Sequence, residues 1–179
     1  CGLGTRAVDR VANDYPRLIA LSHPQLRPQA GVKNIRKYSQ HFIDLLDLEE
    51  NTLKTLPVAQ VLGYDYPALR YLASVDRGDY ITAIVSRVGE SEATDANLVL
   101  TFEKLTKDRR FTVLMSDLLK KLERYYERPV DIEFTVDIKP NYPDTDYTIH
   151  LLQCRPLTSR EWVGKIEIPD NIPEADILF

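Results

Sequence analysis

Apolar residues recur at helical spacing over one long stretch of the chain. Leu114, Leu118, Leu122 and Tyr125 follow one another at steps of four and three, and Met115, Leu119 and Tyr126 widen the same stripe. This periodicity predicts an amphipathic helix over Phe111–Glu127, which Pro129 ends. A stripe of this kind normally packs into a core, so we assign it no chemistry.

Runs of β-branched and apolar residues predict strands elsewhere. The expected strands are His41–Leu48 and Thr52–Leu56, joined as a hairpin by Glu49–Asn51, then Tyr80–Val88, Leu98–Leu100 and Lys165–Ile168. Short helices are expected over Arg6–Val11, over Pro57–Leu62, and from a Thr101 cap through Leu105. Leu69–Ala73 fits a helix or a strand equally well.

Two short segments near the end of the chain place polar residues two apart between apolar ones. These are Asp131 and Glu133 in one segment, and Gln153 and Arg155 in the other. In an extended strand that spacing directs each pair to one face. The stretch Ile138–Asp146 between them is rich in turn-forming residues and predicts a loop joining two antiparallel strands.

A hairpin that pairs Val136 with His150 would set Glu133 opposite Gln153 and Asp131 opposite Arg155. The patch would then hold oxygen ligands for a divalent cation and a guanidinium for phosphate oxygens. Two simpler interpretations compete with this one. The polar residues could be the solvated face of a half-buried strand, and Arg155 with Asp131 could be a plain ion pair worth at most about 1 kcal/mol.

The remaining chemical groups offer weaker candidates. His23, His41 and His150 are scattered along the sequence, and strict alternation puts His150 on the face opposite Gln153. The two cysteines, Cys1 and Cys154, lack the spacing of a zinc site, and Cys154 falls on the apolar side of its strand. We therefore expect no thiol chemistry.

Bulk composition limits the classes of function. The chain has 179 residues, is 44% hydrophobic and 28% charged, and carries a net charge of −4. These values fit one globular unit and provide no positive field for nucleic acid or an anionic membrane. No apolar stretch reaches the roughly 20 residues of a membrane span, so we expect a cytoplasmic protein. A first residue other than methionine predicts a piece of a longer polypeptide.

The order of motifs in the last third of the chain resembles the phosphoenolpyruvate synthase and pyruvate phosphate dikinase family. A helix ending in Tyr125-Tyr126-Glu127-Arg128-Pro129 precedes Val-Asp-Ile-Glu-Phe-Thr, a loop, and then Leu-Leu-Gln-Cys-Arg-Pro-Leu-Thr. The match covers about Leu114–Thr158. Gly2-Leu3-Gly4, followed by Val8 and by Asp14-Tyr15, also resembles the family's upstream Gly-Leu-Gly-Glu segment. The resemblance implies an α+β fold, the C-terminal lobe of an ATP-grasp domain, with a mostly antiparallel sheet packed against helices.

The resemblance also implies a site and a reaction. Glu133 and Gln153 would bind Mg²⁺ on the phosphates of ATP, Arg155 would contact a phosphate, and Asp131 would support them. The intact enzyme would be a dikinase-type phosphotransferase that phosphorylates a carrier histidine, which passes the group to pyruvate or another acceptor. Residues 1–158 would form the lobe and 159–179 an irregular tail or link, with the other lobe and domains missing, so that this fragment alone would be inactive.

Two departures from the family pattern keep other functions open. Thr5 stands where the family has the glutamate, followed by Arg6, and the loop between the two strands is longer. The first alternative is a divergent, non-catalytic binding or regulatory module that keeps the fold. The second is a self-contained adaptor that binds no nucleotide, for which the four polar residues would be coincidental.

Overall fold

The computed structural model describes residues 1–8, 11, 14–27, 30–63, 65–84, 97–141 and 144–157. Within these ranges the chain forms three small antiparallel sheets and several helices, which is an α+β arrangement. The predicted tail over 159–179, with its Lys165–Ile168 strand, lies outside the described residues.

The elements follow the chain in a simple order. After a 3₁₀ turn (Gly4–Ala7) come α1 (Val32–Lys37), the hairpin of β1 (Phe42–Asp47) and β2 (Thr52–Pro57), α2 (Val58–Val61), and α3 (Leu69–Leu72). The second sheet has the order β4-β3-β5, from β3 (Ala73–Asp76), β4 (Ile81–Ala83) and β5 (Leu98–Leu100). Then follow α4 (Glu103–Lys107), α5 (Arg109–Tyr126), and the hairpin of β6 (Val130–Pro140) and β7 (Thr145–Pro156).

The hydrophobic core lies where the second sheet, α3, α4 and the start of α5 meet. Leu100 is 2% exposed, and Phe111 and Met115 of α5 pack into the same cluster. The apolar side of the β6–β7 hairpin covers this cluster through Ile132, Phe134, Val136, Ile138, Tyr147 and Ile149. Burial of this face fixes which side of the hairpin points away from the core.

Helix α5 confirms the strongest prediction from the sequence, although its buried stripe is narrower than expected. The Asp108 side chain caps the helix by accepting a hydrogen bond from the amide of Arg110 at 2.9 Å. Leu114 and Tyr125, expected in the core, are 40% and 81% exposed. The helix meets the core through its first half, so its last turns extend beyond the packed region.

Most other predicted elements are present with altered bounds, but the predicted helix Arg6–Val11 is wrong at its end, because Val11 pairs with Asp14 in an isolated β-bridge. The β1–β2 hairpin, α2 and β5 are confirmed, whereas the predicted strand Tyr80–Val88 is described only as the short β4, its last residues lying outside the description. The predicted Thr101 cap is wrong. The hydroxyl of Thr101 instead lies 2.6 Å from that of Ser74 in the core, and Phe102 takes the N-cap position of α4 without a side-chain bond.

The β6–β7 hairpin has the predicted antiparallel pairing near its open end and a different register toward its turn. Glu133 pairs with Gln153, but Phe134 pairs with Leu151, which leaves Leu152 as an extra residue in β7. This β-bulge makes the predicted Val136–His150 pair wrong, because Val136 lies opposite Ile149. The strands also extend farther than predicted, because β6 continues to Pro140 and β7 begins at Thr145, both within the expected loop Ile138–Asp146.

Candidate functional site

The candidate site lies on the side of the β6–β7 hairpin that points away from the core, which we call the hairpin face. It carries Asp131, Glu133, Thr135 and Asp137 from β6, and Thr148, His150, Gln153 and Arg155 from β7. The four residues singled out in the sequence are therefore brought together as two directly opposed pairs. At such positions, side chains are within cross-strand contact distance.

Asp131 and Arg155 form an ion pair across the two strands. Nε of Arg155 donates to Oδ2 of Asp131 at 3.0 Å, and Nη2 lies 2.9 Å from the same oxygen. The side chains are 61% exposed for Arg155 and 44% for Asp131. Solvent screens a pair this open, so its contribution to stability is small and the guanidinium stays accessible to an anion.

Glu133 and Gln153 are opposed but make no hydrogen bond to any residue that the structure describes. Their carboxylate and amide oxygens are thus free for another partner. No group of three or more histidine, cysteine or acidic side chains within the described ranges is arranged to hold a metal ion. One carboxylate and one amide still fit Mg²⁺, which commonly takes one or two protein ligands and completes its shell with water and phosphate oxygens.

His150 lies on the hairpin face, so the prediction that it points to the opposite side is wrong. Its Nε2 is 3.1 Å from Oδ2 of Asp137, and both side chains are more than half exposed. The bulge at Leu152 is the cause, because one extra residue shifts the alternation between Leu151 and Gln153. Cys154, opposite Ile132 on the core side, is partly buried as expected.

The N-terminal Gly-Leu-Gly segment is held against β1. Gly4 has φ +61°, and a Cβ added there would lie 2.9 Å from the carbonyl oxygen of Asp44. Both the backbone angle and the close approach require glycine. This glycine therefore serves contact with the protein's own backbone.

Asp44 forms hydrogen bonds with the two residues that follow Gly4. Its carboxylate accepts hydrogen bonds from the Thr5 hydroxyl at 2.7 Å, from Nε of Arg6 at 2.7 Å, and from the hydroxyl of Thr55. The hydrogen bonds from Arg6, Thr55 and Thr5 hold the pKa of Asp44 well below its ordinary range. Asp44 thus brings a carboxylate next to the position where the sequence lacks one.

Two further polar residues fix this segment: Asp14, which the sequence indicated only through the family resemblance, and Gln40, which it did not indicate. Asp14 is 5% exposed; it accepts a hydrogen bond from the amide of His41 at 2.6 Å and lies 3.6 Å from Nη1 of Arg6. Gln40 is 3% exposed and bonds both the amide and the carbonyl of Leu3 at 2.8 Å. Both act across long sequence separations, which no local pattern indicates.

Comparison with known proteins gives one match. The family model described as pyruvate phosphate dikinase, AMP/ATP-binding domain, matches residues 1–175. Searches of curated proteins and of solved structures gave no match. Within the described ranges, no helix has the length and apolar character needed to span a membrane.

Proposed function

Because the chain belongs to the pyruvate phosphate dikinase AMP/ATP-binding domain family, we propose that the hairpin face binds the phosphates of Mg-ATP. The observation that carries this proposal is the pairing of Glu133 with Gln153 beside Asp131 with Arg155. Oxygen ligands and a guanidinium stand side by side on an open surface, which suits a metal-bound polyphosphate.

Residues 1–158 are, in this proposal, the C-terminal lobe of an ATP-grasp domain, with residues 159–179 as a tail or link. The α+β arrangement and the open hairpin face are consistent with that assignment. The second lobe, with the lysine and arginine that family members use to grip the nucleotide, lies elsewhere in a longer polypeptide. A nucleotide would then be enclosed between the two lobes.

Each of the four side chains has a distinct role. Glu133 and Gln153 would hold the metal ion through their free oxygens, and Arg155 would bind a phosphate oxygen with the guanidinium donors that Asp131 leaves unused. Asp131 orients that guanidinium. Mg²⁺, when bound, neutralises charge on the phosphate oxygens. Positioning and charge neutralisation are the main contributions of a protein to phosphoryl transfer.

The reaction we propose for the intact enzyme is ATP-dependent phosphorylation of a carrier histidine, which then donates the group to pyruvate or another acceptor. None of the described histidines takes the carrier role in this scheme. His150 is on the hairpin face but is engaged with Asp137. The carrier histidine is supplied from another domain.

A second candidate is a binding or regulatory module that keeps the fold without the chemistry. One observation favours it: Thr5, at the family's glutamate position, donates its hydroxyl to Asp44, whose carboxylate also binds Arg6 and Thr55. A carboxylate that accepts so many hydrogen bonds is less available to a ligand. This candidate predicts nucleotide binding without phosphoryl transfer.

Calorimetry with Mg-ATP on the two-lobe polypeptide tests the site. We expect Glu133→Gln and Arg155→Gln each to weaken binding by about tenfold or more, the scale of one lost charge-assisted contact. Asp137→Asn is the matched control for a carboxylate on the same face, and Arg109→Gln for an exposed arginine elsewhere. Equal affinity in all four variants would remove the hairpin face as the nucleotide site.

Product analysis separates the two candidate functions. A dikinase forms AMP from ATP when the carrier histidine and the acceptor are present, whereas the regulatory module binds ATP and leaves it intact. The 179-residue chain alone should bind Mg-ATP weakly, because half of the enclosure is absent. Micromolar affinity in the chain alone would contradict the two-lobe assignment.

A further inference from the structure

A cavity of about 340 Å³ lies away from the hairpin face, between the N-terminal segment and helix α1. Its walls include Tyr15, Leu18, Ile35 and Tyr38, and no residue of β6 or β7 lines it. The volume is within the range of pockets that take small organic ligands. Mostly apolar walls suit a ligand with a flat or apolar body.

Two arginines, Arg17 and Arg27, line the same cavity. Nε of Arg17 is buried and has no hydrogen-bond partner among the described residues, while Nη2 donates to the carbonyl of Leu26 at 3.1 Å. Arg27 has no ion-pair or hydrogen-bond partner among the residues that the structure describes. Neither guanidinium therefore forms an ion pair with a carboxylate in the part of the chain that the structure describes.

Two acidic residues that lie near these cations are already engaged by other groups. Asp14 lines the cavity, but its carboxylate is taken up by the amides of His41 and Phe42 and by Arg6. Glu103, whose charge acts on both arginines, pairs with Lys107 at 2.8 Å. Neither acid forms an ion pair with Arg17 or Arg27 within the described residues, although the charge of Glu103 raises the pKa of both guanidiniums.

The pKa shifts agree with this description. Burial lowers the pKa of both guanidiniums, and the positive charge of Arg17 lowers that of Arg27 further. An anion placed between them would relieve both effects. Guanidiniums bind carboxylates and phosphates in preference to other groups because their planar donors match two oxygens at once.

Two aromatic side chains form the wall of the cavity that would contact the apolar part of a ligand. Tyr15 and Tyr38 meet edge to face, with ring centroids 5.4 Å apart at 65°. Asn34 lies one helical turn before Tyr38 and also lines the cavity. Its side-chain nitrogen donates a hydrogen bond to the carbonyl of Ala30, which leaves its side-chain oxygen as an acceptor. Rings fixed in this way offer a preformed surface for a planar group.

We propose that this cavity is a second binding site, for a small organic anion with a planar ring and one terminal phosphate or carboxylate. The anionic end contacts Arg17 and Arg27, and the ring packs against Tyr15 and Tyr38. The site is separate from the nucleotide site on the hairpin face and does not depend on it. It provides a place for an effector or an acceptor to bind while ATP is bound.

Titration of the 179-residue chain with four probes tests the site by calorimetry and ligand-observed NMR. We expect phenyl phosphate or benzoate to bind at least about tenfold more tightly than inorganic phosphate or benzyl alcohol, because each of the latter keeps only half of the contacts. The ratio between phenyl phosphate and benzoate distinguishes a phosphate from a carboxylate ligand. Equal affinity for all four probes would overturn the proposal.

Variants localise the binding. Arg17→Gln and Arg27→Gln should each weaken the tighter probe by about tenfold, whereas Arg109→Gln and Glu133→Gln should leave it unchanged. Circular dichroism verifies that each variant is folded. Intermolecular NOEs from the probe to the Tyr15 and Tyr38 rings, measured in the unaltered chain, provide evidence that does not depend on any variant. Absence of those NOEs, or displacement of the probe by Mg-ATP, would overturn the proposal of a separate site.

Discussion

Nε of Arg155 donates to Oδ2 of Asp131 at 3.0 Å across the β6–β7 hairpin, and both side chains remain largely open to solvent. The pair therefore orients the guanidinium without contributing much to stability. An exposed ion pair typically adds less than about 1 kcal/mol. Its main effect in the proposed site is to hold the arginine where a phosphate can reach it.

Asp131→Asn should separate orientation from stability. We expect the free energy of unfolding, from urea denaturation, to change by less than about 1 kcal/mol, while Mg-ATP binding by the two-lobe polypeptide weakens several-fold. Asp137→Asn, which removes the exposed partner of His150, is the matched control and should change neither quantity appreciably. A loss of stability larger than the stated bound would show that the pair is structural.

The β-bulge at Leu152 leads to a second prediction, about a deletion variant. Tyr147 and Ile149 face the core, Leu151 lies on the same side of the hairpin opposite Phe134, Leu152 has no partner, and Cys154 returns to that side. Deleting Leu152 would therefore restore unbroken alternation while keeping Glu133 opposite Gln153 and Phe134 opposite Leu151. Leu152 is also 65% exposed, so little burial is lost. We expect the deletion variant to fold with a stability change of at most about 1–2 kcal/mol.

Deletion of Thr148 provides the control for that experiment. It removes a paired residue of β7 and would move every side chain on one side of the deletion to the other face. We expect this variant to lose cooperative unfolding, as measured by thermal circular dichroism. If both deletions had the same effect, the extra residue would not be what sets the two faces.

The sequence predicts much of this hairpin, and its apolar spacing also indicates the β-bulge. Alternation correctly predicted the Glu133–Gln153 and Asp131–Arg155 pairs. The bulge could have been found from the apolar spacing, because Ile149 and Leu151 are two apart whereas Cys154 follows after three. Strict period-two alternation does not include that break and therefore places His150 on the wrong face.

Other features could not have been predicted from local patterns, because distant partners decide them. Thr101 has the residue type of a helix cap, yet its hydroxyl pairs with Ser74 in the core. Asp14 is buried because amides 27 and 28 residues away donate to it. The cavity with Arg17 and Arg27 depends on how α1 packs against the N-terminal segment, which the sequence alone does not specify.

Acid should remove a defined part of the stability through Asp76. Hydrogen bonds from Arg36 lower the pKa of Asp76 to about 2, below its ordinary value of 3.8. A depressed pKa in the folded state stabilises the protein above the unfolded value, and this contribution is lost as the pH falls toward the folded value. We therefore expect the stabilisation to be complete above about pH 4 and absent below about pH 2.

Urea midpoints of the unaltered chain and of Asp76→Asn, measured from pH 7 to pH 2, test this window. The difference between the two should be constant at neutral pH and should shrink as the pH drops below about 4. Asp117→Asn, at an exposed α5 residue without an ion-pair partner among the described residues, should run parallel to the unaltered chain. A difference that grows with acidity would have the wrong sign for this ion pair.

Gly4→Ala tests whether the Gly-Leu-Gly segment is set by contact with β1. Gly4 and Gly78 both have positive φ, at +61° and +90°, so alanine is strained at either position. A Cβ at Gly4 would also lie 2.9 Å from the Asp44 carbonyl oxygen, whereas a Cβ at Gly78 would meet nothing within 4 Å. Backbone strain alone costs about 1–2 kcal/mol, so Gly78→Ala measures that component and Gly4→Ala should exceed it. Equal losses in the free energy of unfolding, measured by urea denaturation, would mean that β1 moves to accommodate the methyl group. The close approach to β1 would then not explain why this residue is glycine.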